Sequence, residues 1–139
     1  MSAPGVSDTG DRAGVARNYA YILFGLLFFP LLIVAHFIAR KGRAHPEGFE
    51  QSHYCLQFRT TTVALLCLLA MVGVALSLFF WLQPSTAFQP VHIATLFSFL
   101  NNLVLIAMFW VAVRSIRGLY MCGALRPICN PKTLWLWPR

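Results

Sequence analysis

The sequence predicts an all-α integral membrane protein with three transmembrane helices and a cytoplasmic amphipathic helix leading into the second. Three observations carry this. Composition is the first: 58% of the 139 residues are hydrophobic and 11% are charged, whereas soluble domains carry about 25% charged residues. The second is three apolar runs without Asp, Glu, Lys or Arg, each reaching the about 20 helical residues that cross a bilayer. The third is the placement of Lys and Arg beside those runs and on one side of them. Backbone polar groups must be satisfied internally in hydrocarbon, so the runs are expected as helices.

Residues 1–16, MSAPGVSDTGDRAGVA, are small and polar, with too little apolar surface to order a segment, and read as a flexible N-terminal tail. A membrane domain over 17–125 follows, then a cytoplasmic C-terminal tail over 126–139. The first run spans 18–39 and meets Arg40-Lys41. It is too long for a cleaved signal peptide and lacks a small-x-small cleavage pair, so it reads as a retained anchor. Pro30 should kink it locally. His36, about one turn from Arg40, reads as a neutral interfacial histidine.

The connection 40–59 contains a candidate interfacial helix over 46–59, PEGFEQSHYCLQFR. Pro46 suits a first helical turn, and Glu47 suits the positive helix end. Glu50, His53, Tyr54, Gln57 and Thr61 share a sector of roughly 100° on a helix, with Phe49 and Leu56 on another face. This polar collar runs into the second run, 60–82. Its His, Gln and Arg59 offer donors to phosphates, carboxylates or exposed backbone carbonyls. Glu50 beside His53 has the look of an acid/base pair, but an i,i+3 pair on a surface helix without a nucleophile constellation does not make a catalytic centre. No activity as an enzyme is expected.

The second run places Ala70, Gly73 and Ser77 at steps of three and four, a small-residue seam suited to close helix packing. The hairpin 83–92 is bounded by Pro84 and Pro90 and holds no Lys or Arg. The third run, 91–113, carries Ser98, Asn101 and Asn102 near mid-membrane. Asparagine there is costly unless it faces protein, so these residues are expected as interhelical glue or as the lining of an oligomer axis. The third helix should continue to Gly123 as a C-cap. Arg114 and Arg117 share one face, and RPICNP forces a turning path. Trp81 and Trp110 suit interface anchoring, and Trp135 and Trp137 return rings to an interface or groove.

Lys and Arg are counted by side. The connection 40–59 and the segment 114–139 are rich in them and the hairpin 83–92 has none. The positive-inside rule then puts the C-terminus in the cytoplasm and, with three crossings, the N-terminus in the periplasm. The net charge of +7 is explained by these flanks and anionic lipid rather than by nucleic acid. The four cysteines, Cys55, Cys67, Cys122 and Cys129, lack metal-ligand spacing and read as reduced thiols. No metal or other cofactor is implied.

SHYCLQFRT at 52–60 resembles the His-Tyr-x-x-Gln-x-Arg-Thr signature of a family of small bacterial multi-pass inner-membrane proteins. That family is largely uncharacterised and distantly similar to a chloroplast inner-envelope import component. RGLYMCGALRPICNPKTLWLW at 117–137 resembles its second signature, Arg-Gly-Leu followed by Arg-Pro-Ile-x-Asn-Pro and an aromatic residue. The resemblance covers roughly 18–137 and carries over His53, Tyr54, Gln57, Arg59, Thr60, Arg117, Gly118, Arg126, Pro127, Asn130 and Pro131. Cys55 and Cys129 depart from the expected residues. The resemblance implies an inner-membrane location and no assigned reaction.

The candidate interaction or headgroup-binding residues are therefore His53, Tyr54, Gln57, Arg59, Arg114, Arg117, Arg126 and Asn130. The candidate helix-packing residues are Gly73, Ser77, Asn101 and Asn102. The expected partners are membrane lipids and either a second copy or another membrane protein. The expected role is an interaction or accessory subunit of a membrane complex, with an oligomeric transport or permeation component as the alternative.

Overall fold

Gly25 and Pro30 decide the architecture. Pro30 has no N–H to give the carbonyl four residues back, and its ring clashes with that carbonyl. In the computed structural model, which describes residues 7–44, 46, 48–81 and 89–134, the chain stops being helical just ahead of it. Helix α1, Ser7–Gly25, ends there, and α2, Phe29–Gly42, begins with Pro30 in its first turn. Phe28 between them is extended, at φ −126° and ψ 90°. The chain reverses, and α2 packs back along α1. Gly25 permits this approach: a Cβ there would stand 2.7 Å from the Leu32 nitrogen and 2.9 Å from its Cα.

The first apolar run, 18–39, is thus a helical hairpin and not one continuous helix. Pro30 produces a full reversal where a local kink was expected, because Gly25 lets the two arms touch. The expected flexible tail over 1–16 is corrected from Ser7 onward; residues 1–6 lie outside the described residues. Ser7 to Ala16 belong to α1, since Val15 is fully buried and Arg12 reaches the carbonyl of Gly123 at 3.0 Å. Tertiary contacts supply what the segment's own composition lacks.

The collar and the second apolar run form one helix, α3, Phe49–Trp81, about 50 Å long at 1.5 Å per residue. Pro46 precedes this helix and does not open it. The last helix, α4, Gln89–Gly123, continues past the third run as expected. It ends in a Schellman turn: Arg126 N–H donates to Met121 O at 3.0 Å and Leu125 N–H to Cys122 O at 3.2 Å. The left-handed residue in that turn is Leu125, at φ 53°, and not a glycine. Residues 124–134 then form an irregular strap that buries Ile128. Residues 82–88, Trp135 and Trp137 lie outside the described residues, as does the side chain of Trp81.

All described regular structure is helical. Phe49–Phe80 and Val91–Gly123 are long and apolar enough to cross a membrane, with mean hydropathy 2.8 and 2.1. The hairpin lies against only one end of this pair. His36 meets Thr61, and Gly42 meets the Tyr54 ring, so α2 runs antiparallel to α3. Arg12 meets Gly123 and Tyr19 meets Gly118, so α1 runs antiparallel to α4. Gly25, Leu27 and Phe29 border a small cavity of about 130 Å³ with Leu68 and Val104, which sets the level of the hairpin turn. Beyond it α3 and α4 continue as a pair for about 20 Å.

The N-terminal arm and the C-terminal end of α4 therefore share one end of the bundle, whereas three crossings would set them at opposite ends. Arg17, Arg40, Arg59 and Arg114 each lie about 12–17 Å of helix rise from the level of the turn, forming a basic tier. The buried core, including Tyr19, Ile22, Ala35, Leu56 and Val111, sits at that end. None of the described residues between Thr62 and Trp110 is buried.

The hairpin contact yields a test. Gly25→Ala should cost about 1–3 kcal/mol by overpacking against the α2 backbone. Gly73→Ala, where nothing lies within 4 Å, should stay within about 0.5 kcal/mol. Thermal unfolding followed by circular dichroism in mild detergent separates the two.

A buried polar collar that clamps hairpin and strap

Three hydroxyls on α3 work in the same way. Ser52 Oγ donates to Phe49 O at 2.7 Å, Thr60 Oγ1 to Leu56 O at 2.8 Å and Thr61 Oγ1 to Gln57 O at 2.9 Å. A hydroxyl has one proton and two lone pairs, so each is left with accepting capacity pointed away from its own helix. Ser52 accepts from the Ile128 N–H at 3.1 Å. Thr60 accepts from Arg114 Nε at 2.9 Å. Thr61 pairs with His36 Nδ1 at 2.9 Å. One helix thereby fixes the strap, α4 and α2.

His53 and Gln57 are fully buried between them. His53 Nε2 lies 3.1 Å from the Arg126 carbonyl, and Nδ1 lies 3.0 Å from Tyr19 Oη. A carbonyl can only accept, so Nε2 carries the proton and Nδ1 accepts from the tyrosine hydroxyl. Phe49 and Tyr19 flank the ring, with centroids at 4.6 and 5.9 Å. Gln57 Nε2 donates to Val15 O at 3.0 Å, and its Oε1 accepts from Asn18 Nδ2 at 2.7 Å. The same Asn18 amide donates to Ala35 O at 3.2 Å, so one amide pair joins α1, α2 and α3.

Arg114 is fully buried. Thr60 Oγ1 and the Thr133 carbonyl accept from it, and the Trp110 ring lies 5.1 Å from its guanidinium carbon. These dipoles and the π face help to solvate the charge. Arg59, exposed, donates to the Lys132 carbonyl. The Phe58 ring is held between Arg43, 3.7 Å from its centroid, and a stacked His36 at 4.7 Å.

The structure places His53, Tyr54, Gln57, Arg59 and Arg114 at one end of the bundle and turns the polar stripe inward. The α1–α2 hairpin covers it, so His53, Tyr54, Gln57 and Thr61 are core residues, not a headgroup-facing surface. Tyr54 wedges between Gly42 and Gly14. Arg117 is half-buried beside Gly118, whose lack of a side chain admits the Tyr19 ring. Arg126 and Asn130 present exposed side chains and use their backbone carbonyls, Arg126 toward His53 and Asn130 toward the Thr133 N–H.

The predicted packing residues fall elsewhere. Gly73 and Ser77 face outward, and the Ser77 hydroxyl donates to Gly73 O at 2.8 Å within its own helix. Asn101 and Asn102 are exposed, and among the described residues neither side chain has a hydrogen-bond partner. Neither pair joins α3 to α4. Asn18, Tyr19 and Ser52 were missed as site residues. A polar Asn18 opening an apolar run, on the face shared with Val15 and Ile22, was the available signal.

The chain matches no family model, no curated protein and no solved structure in the comparisons made with each.

Two outcomes follow from this clamp. His53→Ala should cost about 2–4 kcal/mol through a cavity and lost hydrogen bonds. A double-mutant cycle with Tyr19→Phe should return a coupling of about 1 kcal/mol, read from thermal unfolding. Arg114→Gln should loosen the strap and speed tryptic cleavage after the exposed Lys132, with cleavage after Arg40 and Lys41 unchanged.

Proposed function

We propose that this chain is a bacterial inner-membrane protein with two full spans and one re-entrant hairpin, acting as an interaction or accessory subunit of a membrane complex and not as an enzyme. One observation carries the reading: a polar base whose collar side chains His53, Gln57, Thr60 and Thr61 bond within the fold, continued by a bare apolar helix pair. Phe79, Phe80, Phe109 and Leu69 are 80%, 72%, 68% and 64% exposed. An apolar surface of that extent is incompatible with a monomer in water. In hydrocarbon it costs nothing, and burying it would gain little, which accounts for a core confined to the basic end.

The hairpin fits the same solvent. Its turn exposes Phe24, Leu27 and Phe28. The N–H groups of Leu26, Leu27 and Phe28 are bonded to Leu23 O, Phe24 O and Phe24 O, and Pro30 has none to satisfy. Backbone can sit at membrane depth under that condition. The basic tier then stands at the interface, and the positive-inside rule places it in the cytoplasm with both termini. This arrangement replaces the three-crossing reading, which needs the N-terminus in the periplasm.

The two signature stretches fall in this base: His53, Tyr54, Gln57, Arg59 and Thr60 on α3, with Gly118, Arg126 and Asn130 on α4 and the strap. If the resemblance to the bacterial inner-membrane family holds, its signature residues are the ones that clamp helices in this chain. It brings no reaction with it. Among the described residues the cleft between α3 and α4 is lined by apolar side chains and by Asn101, which lends no support to a permeation role.

Reporter fusions test the topology. Reporters at the N-terminus and after Leu134 should both read cytoplasmic, and one inserted in 83–88 should read periplasmic. An N-terminal reporter on the periplasmic side defeats the hairpin reading. Purification from native membranes should return a defined assembly larger than 15.6 kDa; a strict monomer defeats the subunit reading.

A further inference from the structure

We infer that the exposed face of α4 centred on Asn102 is the docking surface for a second copy of this chain, with the two Asn102 carboxamides bonded to each other across a twofold axis. The inference rests on the two-span reading above. Ser98, Asn102, Leu105 and Phe109 follow one another at steps of four, three and four, so they share one face of α4. All four are exposed, Leu105 to 55% and Phe109 to 68%. Asn101 stands at the edge of this face, where it lines the cleft with α3.

Depth identifies the partner. Asn102 lies about 17 Å of helix rise from both Val91 and Arg114, which is the centre of a hydrocarbon layer about 30 Å thick. Lipid offers only methyl and methylene groups there. A bare carboxamide is costly at that depth, and its neighbours on this chain do not bond to it. Only protein can supply a donor and an acceptor at this level. A phospholipid filling the same groove would leave the amide as it is.

Symmetry selects a second copy among proteins. Two copies inserted in the same sense in one membrane are related by rotation about the membrane normal, so each residue near the axis meets itself at its own depth. A carboxamide carries both donors and an acceptor and is self-complementary across such an axis. Isologous pairing therefore satisfies both amides with no further requirement. A different protein would have to carry its own polar residue at the same level. Leu105 and Phe109 on one side of Asn102 and Ser98 on the other give the pair a continuous contact along the helix.

The test uses the full chain in native membranes and in liposomes. In a background with Cys55, Cys67, Cys122 and Cys129 replaced by alanine, Leu105→Cys should form an intermolecular disulfide under mild oxidation. Leu69→Cys, on α3 and 64% exposed, should not. Energy transfer between labelled copies in liposomes should show Asn102→Leu weakening association roughly three- to tenfold, the range of a single interhelical polar bond. Asn102→Gln, which keeps the amide, should stay within about twofold. A membrane-integrated monomer overturns this interface and leaves the two-span reading standing. So does crosslinking that is equal at both cysteines, association indifferent to Asn102→Leu, or Asn102-dependent association with another protein alone. Release of the chain by alkaline carbonate overturns the two-span reading itself.

Discussion

The side-chain amide of Gln57 holds the point where three helices meet. Its nitrogen donates to the Val15 carbonyl of α1, its oxygen accepts a hydrogen bond from Asn18, and Asn18 reaches on to the Ala35 carbonyl of α2. Each of these groups is buried, where a lost partner costs more than the bond itself contributes. The register of the hairpin against α3 is the one in which the Gln57 amide and the Asn18 nitrogen find these partners, while the buried Asn18 Oδ1 has no hydrogen-bond partner among the described residues. His53 and Arg114 extend the same logic to the strap, and the three α3 hydroxyls complete it.

Polar contacts govern this fold because apolar contacts cannot choose. Along an apolar helix pair one leucine surface resembles another, and in lipid neither gains much by meeting the other. Hydrogen bonds have direction, and glycines have a location. Gly25, Gly42 and Gly118 each admit a neighbour that a side chain would exclude. The approaches at Gly42 and Gly118 and the amide network lie at the basic end, while Gly25 closes the hairpin turn away from it. In the proposed topology the same end carries the charges that would hold it at an interface, so packing and anchoring would come from one tier of residues.

The outer half of the bundle follows from the inner half. Once the hairpin stops at the level of Leu68 and Val104, none of the described residues of other elements covers α3 and α4 further out. A cleft of about 790 Å³ opens between Met71, Ala75 and Phe79 on one side and Ile93 and Phe97 on the other. Asn101 and Asn102 stand in this uncovered stretch, which is the surface the proposed assembly would use.

Much of this was legible in the residues. Charge-free apolar runs fix helices, because no other backbone arrangement satisfies itself without water, and α3 runs unbroken from the collar because no Gly or Pro interrupts 49–72. The donor capacity of the collar was legible too, since His53, Gln57 and Arg59 follow one another on a helix that leads into an apolar run. Three features were not. The reversal at 26–28 depends on two arms fitting together at Gly25, a relation between residues that no single-helix pattern contains. The inward turn of His53, Tyr54 and Gln57 depends on what covers them, since an amphipathic stripe reads the same whether its polar side meets water or another helix's amides. The shared end of α1 and α4 depends on that same hairpin. Local sequence chose the helices, because backbone hydrogen bonding is local; the tertiary fold chose which faces meet, because a buried polar group is satisfied only by partners far away along the chain.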